Sequence, residues 1–218
     1  MRKLIVVLAL ISSFSVMAYR FTDDFNLGIY WADLPIKVIK VATQSSVGNL
    51  LDNVVARAEN EWEQVVGLEI WDVESGYTND TSIARNTIRW STDFGAETGF
   101  SPDTTLAVTI RHRRGTYFEY FEIILNSENR LLKNNTNDIL YKTMIHELGH
   151  ILGIGHSERS PAVMEPTLVG YNSLQADDQE AILAIQSETQ RRQEVGFVSA
   201  LARDGDNETN ALACGSVN

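Results

Sequence analysis

The sequence predicts an α+β fold, and three observations predict it. Alternating or continuous apolar segments at 36–41, 87–90, 106–110 and 118–125 read as strands. Apolar residues at three- and four-residue spacing over 47–66, 139–152 and 176–185 read as helices. Between 153 and 175 the periodicity is lost, so the later part of the chain is expected to be mostly irregular, ending in the last helix.

The chain has 218 residues, 44% hydrophobic and 22% charged, enough for one domain with a sizeable core and unlike a disordered or collagen-like polymer. A net charge of -11 without a basic stripe argues against nucleic acid as a partner. The single cysteine, Cys214, leaves no intrachain disulfide. Residues 1–18 read as a secretory signal peptide, with Arg2 and Lys3 at the start, an apolar run up to Met17 and a small residue, Ala18, at the cleavage position. Its removal takes the net charge from -11 to -13. The run is short and interrupted by Ser12, Ser13 and Ser15, and no second apolar run reaches spanning length. The expectation is therefore a monomer exported to the periplasm or the medium, with no membrane span in the mature chain. The lack of disulfides suits a bacterial exported protein.

The elements follow in order. Residues 19–30 form a short N-terminal segment. Ile36-Lys37-Val38-Ile39-Lys40-Val41 alternates as a half-buried strand does. Val47, Leu50, Leu51, Val54, Val55, Ala58, Trp62, Val65 and Val66 mark a long amphipathic helix that Gly67 would stop. The strands at 106–110 and 118–125 are expected to form a hairpin around a basic turn, 111–115, in which His112 is solvated. Several N-cap candidates at 134–138 precede the second helix, which Gly153 and Gly155 would end. Asp177 and Asp178 give the third helix the acidic start that its dipole favours. From about Glu188 the chain turns polar, which divides it into a domain at 31–188 and a tail at 189–218.

The chemistry is concentrated in His146-Glu147-Leu148-Gly149-His150-Ile151-Leu152-Gly153-Ile154-Gly155-His156. Residues four apart share a helix face, so His146 and His150 point the same way and can hold one metal ion. Glu147 lies one residue on and reaches a water on the metal rather than the metal. Gly153 permits a left-handed turn that returns the chain, so that His156 supplies a third ligand. Three neutral imidazoles leave the fourth tetrahedral position open, as in a catalytic zinc site; a purely structural zinc would leave Glu147 without a role. The five fixed positions of this pattern arise by chance on the order of once in 10⁵ chains of this size.

That motif resembles the metzincin metallopeptidases, and the segment after it resembles their matrixin branch. Ser157 comes directly after His156, Ser160-Pro161-Ala162-Val163-Met164-Glu165-Pro166 resembles the matrixin Met-turn, and residues 175–186 resemble the C-terminal helix with its paired aspartates. The resemblance implies a twisted mixed sheet of four parallel strands and one antiparallel edge strand, with an active-site helix behind it and a small C-terminal subdomain. It implies one catalytic Zn2+ ion, a polypeptide substrate and endopeptidase activity, with Glu147 as general base and Met164 as a floor beneath the ligands.

The resemblance also implies a groove in which a peptide adds to the edge strand at Leu106 and Val108. Pro166 and Leu168 would form a pocket wall and Lys142 the pocket base. Leu168 stands where matrixins usually carry tyrosine. The family's additional structural-zinc ligands are missing, since His112 is the one remaining histidine, and Ca2+ is weighed at Asp93, Glu97 and Asp103. No cysteine precedes the domain, so the family's usual latency route is not available. Asp23, Asp24 or Cys214 are the alternatives as latency ligands. Two rival functions stay open: a non-catalytic zinc-scaffold binding or adhesion module, and a zinc amide hydrolase acting on cell-wall peptide.

Overall fold

The computed structural model describes residues 19–41, 51–80, 85–168, 170–196 and 207–215; the expected leader, 1–18, lies outside them. Short strand β1, Tyr30–Trp31, follows helix α1, Asp23–Asn26. Strand β2, Ile36–Lys40, leads to helix α2, Leu51–Val66, whose expected first turn from Val47 falls on residues that are not described. Strands β3, Trp71–Val73, and β4, Thr87–Ser91, come next. A capped helical turn, α3 (Phe94–Thr98), then fills part of the expected loop. Strands β5, Thr105–Arg114, and β6, Tyr117–Asn126, form the hairpin. Helices α4, Arg130–Lys133, α5, Ile139–Leu152, and α6, Ala176–Val195, come after it, and strand β7 spans Asn207–Gly215.

Among the described residues these strands make one mixed sheet in the order β3-β2-β4-β6-β5-β7, with β1 added beside β6. The pairs β2–β3, β2–β4, β4–β6 and β1–β6 are parallel, whereas β5 is antiparallel to both its neighbours. Parallel pairing needs crossovers, and α2 supplies one between β2 and β3. Its buried stripe, Leu51, Val54, Val55, Ala58 and Trp62, joins α5 in the main core on one face of the sheet. A smaller cluster of Phe94, Val108 and Ile124 covers the other face.

Two expectations need correction. The edge assigned to the strand at 106–110 is not an edge, because β7 pairs with β5 along its length, from Arg114 opposite Asn207 to Thr105 opposite Gly215. Residues 111–114 belong to β5 rather than to a turn, and Gly115, at φ +62°, makes the turn with Thr116. Arg111 finds partners distant in sequence, and His112 finds them on the neighbouring strand. Arg111 is fully buried against Asp24 at 3.0 Å and the Thr22 hydroxyl at 2.9 Å, and His112 stacks on Tyr120 with Nε2 3.2 Å from Glu122. Helix α6 runs on past residue 188 to Val195.

The last turns of α6 hold the N-terminal segment. Arg192 donates to the carbonyls of Phe25 and Ile29, Gln193 donates to those of Trp31 and Ala32, and Glu188 receives Arg191 and Arg192 at 2.7 Å each. These guanidinium groups pull the Glu188 carboxyl from its ordinary 4.5 down to about 2. The stabilisation is fully present above the unfolded value and fades as pH falls toward the folded one. Glu188→Gln should therefore lower stability by about 0.5–1 kcal/mol at pH 7, a value suited to a water-screened pair. In urea denaturation the gap between parent and variant should shrink by pH 3; a gap that widens in acid would contradict the assignment.

Candidate metal centre

Helix α5 sets His146 and His150 one turn apart on the same buried face. At its end Gly153 takes φ +103°, a conformation that favours glycine, and the chain doubles back. The N-terminal segment fixes that reversal: Thr22 N–H donates to the Gly153 carbonyl at 2.8 Å and Gly155 N–H to that of Arg20 at 2.7 Å. The Trp31 indole caps the carbonyl of Ile151 at 2.8 Å. The returning segment brings His156 into place, with ring centroids 5.4 Å from His146 and 4.9 Å from His150.

Two of the three rings are oriented from behind. The Val163 carbonyl lies 2.8 Å from His146 Nδ1, and the Ile154 carbonyl 2.7 Å from His150 Nδ1. Each carbonyl accepts a proton on Nδ1, so Nε2 carries the free lone pair. The Nε2 atoms of His146, His150 and His156 are buried without a hydrogen-bond partner among the described residues, and the group's ligand atoms lie within 4.8 Å of one another. Burial lowers the proton affinity of all three rings, taking His146 to about 3 and His150 well below its usual value. Neutral, convergent imidazoles with orphaned nitrogens fit a zinc ion as the fourth member of the cluster.

The floor is built by packing. Met164 is buried under α5, and a Cβ placed on Gly149 would meet its sulfur at 2.5 Å and Trp62 at 2.9 Å, so this approach requires glycine. The paired aspartates at the start of α6 secure the floor. Asp178 accepts from the backbone N–H groups of Val163 at 2.8 Å, Met164 at 3.1 Å and Gln175 at 2.8 Å. Asp177 accepts from Ser157 Oγ at 2.6 Å, next to His156. The sequence marked these two residues only as a helix start and a family likeness; their hold on the ligand loop needs the tertiary fold.

Glu147 is fully buried beside the ligands. Thr109 Oγ1, on β5, donates to its Oε2 at 2.5 Å, while Oε1 has no partner among the described residues. Burial raises the Glu147 carboxyl to about 8, against the opposing pull of Thr109. Thr109 escaped the sequence reading, although its position two residues after Ala107 puts it on the same face of the strand.

The remaining candidates separate. Leu106 is buried in the main core, but Val108 turns its side chain to the opposite face with Phe94 and Ile124, so only its backbone can serve the groove. Leu168 is buried and Pro166 exposed; Lys142 is half-buried on α5, one turn before His146. Asp24 is engaged by Arg111 and Thr22, and Asp23 is exposed on α1. Cys214 is the latency candidate that reaches the centre: His146, Glu147 and Cys214 form a second cluster with ligand atoms within 4.8 Å. Of the calcium candidates, Asp93 caps α3 through Ala96 N–H, Glu97 binds Arg89 and Ser91 at 2.5 Å each, and Asp103 is exposed.

Residues 34–187 match the protein family described as matrixin. Matrix metalloproteinase-C of Caenorhabditis elegans is 30% identical over 143 residues, which are 60% of this chain and 24% of that protein. The chain thus spans about a quarter of the length of this curated relative.

Removing the Asp178 carboxylate leaves three backbone donors without their acceptor. Asp178→Ala should cost about 1–3 kcal/mol in thermal or urea unfolding, the range for unsatisfied buried donors. It should also weaken zinc binding, because Val163 orients His146. Unchanged zinc affinity in a competition titration would contradict this role.

Proposed function

Since the chain belongs to the matrixin family of zinc-dependent metalloproteases, we propose that it is an exported endopeptidase that hydrolyses internal bonds of polypeptide substrates. The observation that carries the reading is the convergence of three orphaned Nε2 atoms beside a carboxylate with one unpartnered oxygen. His146, His150 and His156 would hold the zinc, which when bound activates water and polarises the scissile carbonyl.

The chain's own groups have divided tasks. The carbonyls of Val163 and Ile154 fix the Nδ1–H tautomers of His146 and His150, so these rings present Nε2 without rotating. Glu147 takes a proton at Oε1 and returns it to the leaving amine. Thr109 holds Oε2, so the carboxylate stays aimed while its proton content changes. Met164, seated against Gly149, keeps the floor rigid, which matters because small displacements of catalytic groups are costly. Pro166, Leu168 and Lys142 are the residues through which the groove would select the side chain after the scissile bond.

The proposal is tested by pairing metal content with turnover. Glu147→Gln should keep one zinc per chain and lose about 10²–10⁴-fold in peptide hydrolysis, the usual worth of a general base. His146→Ala should lose the zinc. A chelator should abolish whatever hydrolysis the parent shows on a peptide library. Equal rates in Glu147→Gln and the parent would overturn the proposed mechanism.

A further inference from the structure

Strand β7 lies where a peptide bound in the groove would lie. It runs antiparallel along β5, and at its end Gly215 bridges in parallel to Thr167, with Gly215 N–H donating to the Pro166 carbonyl at 3.1 Å and the Gly215 carbonyl receiving Leu168 N–H at 3.5 Å. One segment therefore spans from the edge of the sheet to the outer wall, using main-chain hydrogen bonds on both sides. That is the geometry of strand addition.

The register determines what faces the centre. Cys214 sits opposite Ala107 and Leu212 opposite Thr109, while Ala213, opposite Val108, packs with the cluster on the other face. Alternation along a strand thus turns Cys214 inward. Its side chain is fully buried, and its sulfur lies within 4.8 Å of a ligand atom of both His146 and Glu147. Two unpartnered atoms wait on that side, His146 Nε2 and Glu147 Oε1.

The geometry points to β7 as an inhibitory strand that occupies the substrate groove, with Cys214 as the fourth ligand of the zinc held by His146, His150 and His156. The inference rests on the zinc-peptidase reading and adds its restraint. On binding, the Cys214 S–H bond breaks, its proton passes to the Glu147 carboxylate, and a sulfur–zinc bond forms where water would otherwise sit. Sulfur is a good zinc ligand, and a bound cation deprotonates a coordinating thiol. In this state the fourth position is filled, Glu147 has no water to deprotonate, and the edge of β5 is closed to another peptide. Withdrawal of β7 restores all three at once.

Zinc K-edge X-ray absorption on the zinc-loaded full chain tests the ligand directly and needs no variant. One sulfur at about 2.3 Å beside nitrogen ligands is expected. In Cys214→Ser that sulfur contribution should vanish, and hydrolysis of a short peptide should rise about tenfold or more, because a tethered segment competes at an effective concentration near millimolar. A nitrogen- and oxygen-only shell in the parent, with equal hydrolysis by parent and Cys214→Ser, overturns the inference and leaves the peptidase reading standing. Sulfur coordination with no hydrolysis from either chain keeps the fourth ligand and discards the peptidase. Zinc content unaffected by His146→Ala overturns both.

Discussion

Three imidazole nitrogens face one another in the protein interior with no hydrogen-bond partner among the described residues, and the surrounding structure is organised to keep them so. A buried acceptor without a partner costs on the order of 1–3 kcal/mol, and the helix, the turn at Gly153 and the Met-turn all hold the rings in that arrangement. A zinc ion held there would offset the cost. The supports come from remote stretches of sequence: Arg20 and Thr22 pin the turn, Trp62 and Gly149 admit Met164, and Asp178 clamps the loop whose Val163 carbonyl orients His146. Zinc binding and the folding of these segments would therefore be coupled, as expected for sites absent from the unfolded chain.

The sheet beside the centre shares the same economy of parts. β5 supplies Thr109 to Glu147 on one face and Val108 to a separate apolar cluster on the other, while its free edge is taken by β7. In the proposed inhibited state, substrate access and the state of the metal would not be independent, because the segment that pairs with β5 also carries Cys214 to the centre. The apolar packing of Cys214 and the main-chain pairing of β7 act together, so a modest loosening of the strand would expose edge and centre together.

Much of the centre was legible because its signals are local. His146, Glu147 and His150 are fixed by helical spacing, and Gly153 announces the turn that returns His156. Of the strands in parallel pairs, β2, β4 and β6 are legible, whereas β1 is two residues long and β3 three, and both carry little pattern. The basic run at 111–114 looked like a turn because charge is a local property, whereas the partner that lets Arg111 be buried, Asp24, is 87 positions away in the chain and reaches it only after folding. β7 was hidden for the same reason: its polar and small residues have no strong period, and its pairing partner is about a hundred residues earlier. The aspartates at 177 and 178 were visible, but their acceptor roles toward Ser157 and Val163 were not, because hydrogen-bond geometry has no signature in composition.

Everything proposed for the centre depends on one ion at one place, and anomalous diffraction at the zinc edge from crystals grown with zinc examines that place directly. A single strong peak is expected at about 2.0–2.1 Å from Nε2 of each of His146, His150 and His156, the distance of zinc–imidazole bonds. No peak between these rings, or a peak reached through Nδ1 with the Val163 and Ile154 carbonyls displaced, would contradict a zinc centre of this kind.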